Sequence, residues 1–166
     1  LCEALQQRLP VDLSEPKEPA FFTRNYEKGT AWYRSCFHSE DRVLLDGTPG
    51  YTMAQRDPGQ VSPHDLAVER MLHISPQARL IYVVRDPVRR AWAGYWHAVR
   101  AGNERRSVET AFQEESAYIR ASLYDYQLSR FLGAFPRQHV LCVDHAYFLA
   151  DPDAVIHGIA RWLDLT

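Results

Sequence analysis

The sequence predicts an α/β fold of three layers, in which helices flank a mostly parallel sheet. Three observations support this prediction. Short apolar runs alternate along the chain with stretches of helical periodicity. Two of the helical stretches begin with the same Asp-Pro pair, at Asp86 and at Asp151. Polar residues follow three of the apolar runs directly, at Asp46, Arg85 and Asp144, and ligands bind at such strand ends in parallel sheets.

Length and composition fit one globular domain over residues 1–166. Apolar residues make up 46% of the chain and charged residues 24%, and the net charge of −2 argues against a dedicated nucleic-acid-binding protein. The three cysteines lie far apart and include no C-x-x-C pair, so neither a zinc site nor a disulfide framework is predicted. No His, Cys and Asp cluster has the spacing of metal ligands, and no metal is expected.

The beginning of the chain predicts a helix, a loop and a short strand. Leucines at every fourth position predict the helix, which ends at Pro10, and a polar, proline-rich loop follows. Residues 20–22 are predicted to form the strand, with the charged pair Lys17 and Glu18 at its start. By composition alone, this pair is also consistent with solvated loop charges.

A helix over residues 28–37 leads to a second strand over residues 43–46. This strand is a short apolar run that is expected to be buried, and it ends in the sharp turn D-G-T-P-G, residues 46–50. Apolar residues at helical spacing predict a further helix over residues 64–74, which a Ser-Pro pair ends.

Residues 80–100, LIYVVRDPVRRAWAGYWHAVR, form the centre of the predicted fold. Their first five residues are typical of a strand that is buried on both faces. Asp86 is a good N-cap and Pro87 a good first residue for the helix that follows. Arg85 lies at the junction, where strand ends and helix N-termini attract anions, and its guanidinium suits a phosphate. Pairing with a carboxylate explains Arg85 equally well on this stretch alone, and Arg90 is expected to brace the fold.

The last third of the chain repeats the alternation. Helices are predicted over residues 107–115 and 122–135, and a buried strand over residues 138–144. Asp151 caps a final amphipathic helix. In total, strands are predicted near residues 20–22, 43–46, 80–85 and 139–144.

Several motifs resemble those of sulfotransferases that use 3′-phosphoadenosine 5′-phosphosulfate (PAPS). The run R-D-P-x-x-R-A-x-x-x-Y at residues 85–95 is similar to the motif that binds the 3′-phosphate of the donor. Further similarities, in the same order along the chain, are to the glucosaminyl 3-O- and N-sulfotransferases of heparan sulfate and their bacterial relatives. They comprise K-E-P-A-F-F (17–22), K-G-T-A-W-Y (28–33), T-P-G-Y (48–51), S-L-Y (122–124) and F-P-R-Q-H-V-L-C-V-D (135–144).

The resemblance implies a P-loop-like sulfotransferase fold and a reaction. A hydroxyl or amine of a glycan or small-molecule acceptor attacks the sulfur of PAPS, and adenosine 3′,5′-bisphosphate leaves. Glu18 matches the family's general base, and Lys17 beside it would orient anionic groups. Arg85 matches the residue that holds the 3′-phosphate. Tyr124 is a second candidate for donor binding, although packing of an aromatic side chain on a helix explains it as well.

The chain also departs from the family pattern. In the family's E-K-T-P segment, the Glu is Asp46 here and the Lys is Gly47, which removes a cation near the transferred group. The serine eight residues after the motif arginine is Ala93, so one hydrogen bond to the 3′-phosphate is lost. Ala20 and Thr23 replace a histidine and an acidic residue of the heparan 3-O-enzymes, which argues against a heparan acceptor.

The resemblance also predicts that the chain is part of a longer protein. The family's first strand and 5′-phosphosulfate loop would precede Leu1, and a loop over the donor would follow Thr166. The acceptor class and the location stay open, with the Golgi lumen expected for a eukaryotic protein and the cytoplasm for a bacterial one. Two other functions remain: an inactive relative that binds a nucleotide or glycan, and a P-loop kinase. The absence of G-x-x-x-x-G-K-[ST] from the chain counts against the kinase.

Overall fold

The computed structural model describes residues 1–54, 61–113 and 116–165. In chain order, these ranges contain α1 (Cys2–Arg8), β1 (Val11–Leu13), α2 (Gly29–Ser35), β2 (Val43–Leu45), α3 (Ala67–Ile74), β3 (Leu80–Val84), α4 (Pro87–Arg100), α5 (Val108–Ala111), α6 (Ala117–Arg120), α7 (Tyr124–Ala134), β4 (Val140–Asp144), α8 (His145–Ala150) and α9 (Pro152–Trp162). Each of the helices described is too short or too polar to span a lipid bilayer.

The strands form two separate parallel pairs, and their parallel direction is the one that the alternation of strands and helices predicts. β1 pairs with β2, with Val11 opposite Val43. β3 pairs with β4, with Leu80 opposite Val140. Parallel strands require a crossover connection, and helices supply it in both pairs. The α/β architecture of parallel strands flanked by helices is therefore confirmed.

A cavity of about 900 Å³ lies against both strand pairs. All residues of β2 and residues 80–83 of β3 contribute to its wall. Within the described ranges, each of these two strands pairs on one side only. As a result, Val43, Leu44 and Val83 remain 40–41% exposed. The expectation that residues 43–46 are buried, and residues 80–84 buried on both faces, is therefore wrong for these side chains.

The prediction of a strand at residues 20–22 is also wrong. Ala20 has a φ of +50°, and turns follow it. The strand instead lies earlier, at β1, in the segment predicted to be a loop. Asp12 in its centre interrupts the apolar pattern, but this carboxylate accepts hydrogen bonds from the backbone N–H groups of Ser39 and His38, both at 2.7 Å. These bonds, led by that from Ser39, lower the pKa of Asp12.

The aromatic pair at residues 21–22 belongs to the main apolar core rather than to a sheet. Phe21 is 1% exposed, and its ring stacks on Tyr33 with centroids 4.3 Å apart. Phe22 contacts Tyr51 edge to face. Because both rings are buried, they anchor the loop that carries Lys17 and Glu18 immediately before them.

The predicted helix starts are confirmed at two positions. Asp86 accepts a hydrogen bond from the backbone N–H of Arg89, and Pro87 is the first residue of α4. Asp151 caps α9 in the same way, through the N–H of Ala154. The Asp86 cap fixes the start of α4 next to the end of β3, where Arg85 lies.

Candidate functional site

The loop with Lys17 and Glu18 is attached to the turn after β2. The backbone N–H of Gly47 donates to the carbonyl oxygen of Lys17 at 3.1 Å. The N–H of Ala20 donates to Oγ1 of Thr48 at 3.0 Å. The structure therefore brings two of the sequence motifs together, because the loop and the turn share hydrogen bonds on both sides of Glu18.

Gly47 is required by this close approach. A Cβ atom at this position would lie 2.9 Å from the carbonyl oxygen of Lys17 and 3.1 Å from its Cγ atom. The first distance is shorter than real Cβ contacts, so any larger residue would force the loop and the turn apart. The side chain of Lys17 thus occupies space next to residue 47.

Lys17 and Glu18 form an ion pair with Nζ and Oε1 3.5 Å apart. Both side chains are about half exposed, at 49% and 46%. An exposed pair of this kind contributes little to stability, since water and salt screen it. Its two charged groups are therefore accessible to an incoming molecule, whereas the backbone beneath them is fixed.

Asp46 is fully engaged in hydrogen bonds. Its carboxylate accepts from the hydroxyls of Tyr51 at 2.6 Å and Tyr33 at 2.9 Å, and from the backbone N–H of Thr48 at 2.9 Å. Burial raises the pKa of both tyrosines well above the usual range, and the charge of Asp46 raises it further. Asp46 consequently stabilises the turn, whereas the carboxylate of Glu18 is about half exposed.

The sequence did not identify this role of Asp46. In the sequence, Asp46 is recognisable only as a polar strand end and as a departure from the family's glutamate. The two tyrosines that bind it lie 13 residues before it and 5 residues after it. The two tyrosines belong to the motifs at residues 28–33 and 48–51. The order of these motifs along the chain does not show that both tyrosines contact Asp46.

Arg85 and Tyr124, both predicted to bind the donor, lie close together. The backbone N–H of Arg85 donates to the hydroxyl of Tyr124 at 3.3 Å. Tyr124 is the first residue of α7, and its ring contacts Tyr82 of β3 edge to face at 6.0 Å. The Arg85 guanidinium donates to the carbonyl oxygen of Arg89 at 2.6 Å. Among the described residues, Arg85 has no carboxylate partner, so the alternative of a structural ion pair is not supported.

Arg85 also lines a second, shallower cavity of about 440 Å³, together with Arg89, Trp92 and Ala93 of α4. Trp92 is 47% exposed there. Ala93 therefore lies on the same surface as Arg85, at the position where the motif has its serine. The surface is positively charged and partly aromatic, which suits an anionic group attached to a planar ring.

Arg90 faces the large cavity instead, with Tyr82 and Tyr124 beside it. Its guanidinium forms no hydrogen bond or ion pair within residues 1–54, 61–113 and 116–165, so bracing contacts of the expected kind are not found there. Burial lowers the pKa of Arg90, and the nearby charge of Arg85 acts in the same direction. In the part of the chain that the structure describes, no group of three or more His, Cys, Asp and Glu residues is arranged to hold a metal ion.

Comparisons with known proteins agree with these motifs. A family model described as "Sulfotransferase family" matches residues 3–166. Human heparan sulfate glucosamine 3-O-sulfotransferase 6 is 30% identical over 163 residues, which cover 89% of this chain and 43% of that protein. The bifunctional heparan sulfate N-deacetylase/N-sulfotransferase 1 of Caenorhabditis elegans is 25% identical and is covered over 19% of its length. The chain thus spans less than half of these relatives.

A solved structure provides the comparison of folds. The sulfotransferase from Alicyclobacillus acidocaldarius matches 98% of this chain and 74% of its own, with a TM-score of 0.78 and 20% sequence identity. At this identity the match shows that the two proteins have the same fold.

Proposed function

Since the chain belongs to the sulfotransferase family, we propose that it transfers a sulfuryl group from PAPS to a hydroxyl or amine. The observation that carries this proposal is that an accessible carboxylate and a cation lie beside the ends of two strands. Glu18, an accessible carboxylate, is attached to the turn after β2. Arg85, a cation without a carboxylate partner among the described residues, follows β3. The first suits the acceptor and the second suits an anionic donor.

In the proposed reaction, Glu18 accepts the proton of the acceptor as its oxygen or nitrogen attacks sulfur. The new bond to sulfur forms while the bond between sulfur and the bridging oxygen breaks. The electron pair of that bond leaves with the 5′-phosphate of adenosine 3′,5′-bisphosphate. Because Glu18 is about half exposed, an acceptor can approach it from solvent.

Arg85 is proposed to bind the 3′-phosphate of the donor. Its guanidinium keeps further N–H donors free after the bond to Arg89, and a planar fork of donors matches phosphate oxygens. Tyr124 would hold the backbone of Arg85 in place through its hydroxyl. Its role is then to position Arg85, in addition to any direct contact with the donor.

Lys17 is proposed to supply the cation that Gly47 cannot. The Cγ atom of Lys17 lies 3.1 Å from the place of a Cβ atom on Gly47, so the two residues share one region. A lysine at position 47 would collide with the loop, whereas Lys17 can extend its ammonium from the same region. Its ion pair with Glu18 is weak enough to open when an anionic sulfuryl group binds.

The acceptor is proposed to be a glycan or a small molecule. The names of the matched relatives refer to heparan sulfate, which favours a glycan. Ala20 and Thr23 differ from the heparan 3-O-enzymes, so a glycan other than heparan is the acceptor that these observations favour.

The test is to measure sulfuryl transfer and donor binding for Glu18→Gln. We expect transfer to fall by about 10²–10⁴-fold, since this is the usual contribution of a general base. Binding of adenosine 3′,5′-bisphosphate, measured by calorimetry, should stay unchanged. Glu15→Gln is a matched control, because Glu15 is also an exposed carboxylate of this loop and pairs with His38 instead. Full transfer by Glu18→Gln would refute the assignment of the base.

An inactive, ligand-binding relative is the second candidate. Gly47 and Ala93 favour it, because each lacks a group that the family directs at the donor. The same titration separates the two functions. Tight binding of adenosine 3′,5′-bisphosphate without transfer to any of a panel of glycans and small alcohols would support the inactive relative.

A further inference from the structure

The loop that carries Glu18 contains a strained residue, Ala20. This alanine has a φ of +50°, in the left-handed region that favours glycine. It is also buried, with 2% of its surface exposed. A residue keeps such a conformation only where its surroundings hold it there, and strain of this kind is concentrated at functional sites. The contacts that hold Ala20 therefore bear on the function of Glu18, two residues before it.

Hydrogen bonds hold both backbone groups of Ala20. Its N–H donates to Oγ1 of Thr48 at 3.0 Å. Its carbonyl oxygen accepts from the hydroxyl of Thr23 at 3.1 Å and from the backbone N–H of Asn25 at 3.2 Å. These three partners stabilise a conformation that alanine by itself disfavours.

The restraint extends backwards from Ala20 to Glu18. Pro19 is fully buried, its ring fixes φ, and its carbonyl oxygen accepts from Nδ2 of Asn25 at 2.7 Å. The residue before a proline is restricted to extended conformations, which limits the backbone of Glu18. The backbone from Glu18 to Ala20 is thus restricted residue by residue, although the Glu18 side chain is about half exposed.

Thr48 connects this restrained segment to Asp46. The backbone N–H of Thr48 donates to the Asp46 carboxylate at 2.9 Å, and its side-chain oxygen accepts from Ala20. The same carboxylate accepts from the two tyrosine hydroxyls, which fix the turn after β2. The side chain of Thr48 therefore joins a rigid turn directly to the strained residue beside Glu18.

We propose that Thr48 is a positioning residue for sulfuryl transfer, which acts through Glu18 by holding Ala20 in its left-handed conformation. This inference rests on the proposed role of Glu18 as the base, and it adds a residue to which the motif comparison assigned no role. Removing the contact would let the segment relax and move the carboxylate. A misplacement of about 1 Å at a reacting group can cost about 100-fold in rate.

A double-mutant cycle with Glu18 tests the proposal. Thr48→Val keeps the shape of the side chain but removes the oxygen that accepts from Ala20. We expect it to lower kcat for sulfuryl transfer by about 10- to 100-fold. In the Glu18→Gln background, the same substitution should change the residual rate by less than about twofold, because no base is left to misplace. The affinity for adenosine 3′,5′-bisphosphate, measured by calorimetry, should not change.

Two variants control for the loss of a hydroxyl. Thr48→Ser keeps the acceptor oxygen and should retain most of the transfer. Thr52→Val removes a hydroxyl that donates to the carbonyl oxygen of Pro49 in the same segment, and it should leave transfer unchanged. If Thr48→Val did not fold, Asn25→Ala would replace it in the cycle, because it removes the bond to the Pro19 carbonyl and should show the same dependence on Glu18.

Amide hydrogen exchange gives a readout that needs no acceptor substrate. The N–H of Ala20 should exchange slowly in the wild type and in Glu18→Gln, and at least about tenfold faster in Thr48→Val, because its hydrogen-bond acceptor is gone. Exchange of this N–H in the wild type at the rate of an unprotected amide would overturn the proposal.

The outcomes also separate this inference from the proposed function. Full transfer by Thr48→Val, or an equal fold loss in the two backgrounds, would overturn the positioning role and leave Glu18 as the base. Weaker binding of the bisphosphate by Thr48→Val would also overturn it, because Thr48 would then act on the donor. Full transfer by Glu18→Gln would remove the base and this inference together.

Discussion

The turn after β2 and the end of β3 differ in how their charged groups are satisfied. After β2, Asp46 accepts three hydrogen bonds and Lys17 pairs with Glu18. After β3, the Arg85 guanidinium donates to the carbonyl oxygen of Arg89 and has no carboxylate partner in the described ranges. The carboxylate after β2 is therefore satisfied by hydrogen bonds within the protein, whereas the cation after β3 has no ion-pair partner in those ranges.

The comparison separates charged groups that stabilise the turn after β2 from a cation that stays accessible after β3. The satisfied hydrogen bonds of Asp46 hold the turn after β2, and with it the loop that carries Glu18, in one place. Unpaired cations lower the stability of the empty protein but attract an anion strongly when it arrives. We expect substitutions of Asp46 and Gly47 to change mainly stability, and substitutions on the surface that Arg85 lines to change mainly binding.

The largest effect is expected for Asp46, the hydrogen-bonded carboxylate in the turn after β2. Asp46→Ala should lower the free energy of unfolding by about 2–4 kcal/mol, because it leaves the hydroxyls of Tyr33 and Tyr51 without their acceptor. Urea unfolding measures this change. Tyr33→Phe removes one of the three bonds and should cost less. A loss below 1 kcal/mol for Asp46→Ala would contradict the bracing role of this carboxylate.

A smaller effect is expected where the loop meets the turn. Gly47→Ala should lower the free energy of unfolding by about 1–3 kcal/mol, since its Cβ atom would lie 2.9 Å from the carbonyl oxygen of Lys17. It should also reduce sulfuryl transfer, because Glu18 would move with the loop.

Gly133→Ala provides the control for this prediction. Gly133 lies inside α7 with nothing within 4 Å of an added Cβ atom, so alanine should stabilise the chain by about 0.5–1 kcal/mol. If both alanine variants proved equally stable, the close contact at Gly47 would carry no energetic weight.

The smallest effect is expected for nucleotide binding at the surface that Arg85 lines after β3. Ala93→Ser adds a hydroxyl to the surface that Arg85 lines and should tighten binding of adenosine 3′-monophosphate about fivefold, the equivalent of about 1 kcal/mol. Binding of adenosine 5′-monophosphate should not change. Ala101→Ser, at the exposed end of α4, is the control for an added hydroxyl. An equal gain for both monophosphates would show that this surface does not select the 3′-phosphate.

Local chemistry explains which elements the sequence predicted correctly. The strand at residues 80–84, the helix after it and its Asp86 cap follow from neighbouring residues, and all three are confirmed. The motif order also indicated that Arg85 and Tyr124 belong to one site, and their backbone-to-hydroxyl contact agrees with this. The strand at residues 11–13 was missed, because Asp12 is satisfied by backbone N–H groups from residues 26 and 27 positions away.

The fold class, the family and the residue types at each strand end were predictable from the sequence, because periodicity, capping and motif order can be read along the chain. How these residues are partnered became visible only in the folded chain. The tertiary structure placed Lys17 against Gly47, enclosed Asp46 between two tyrosines, and left the guanidinium of Arg90 facing a cavity. The physical reason is that charge pairing and close packing depend on contacts between segments distant in sequence, and no local pattern encodes those contacts.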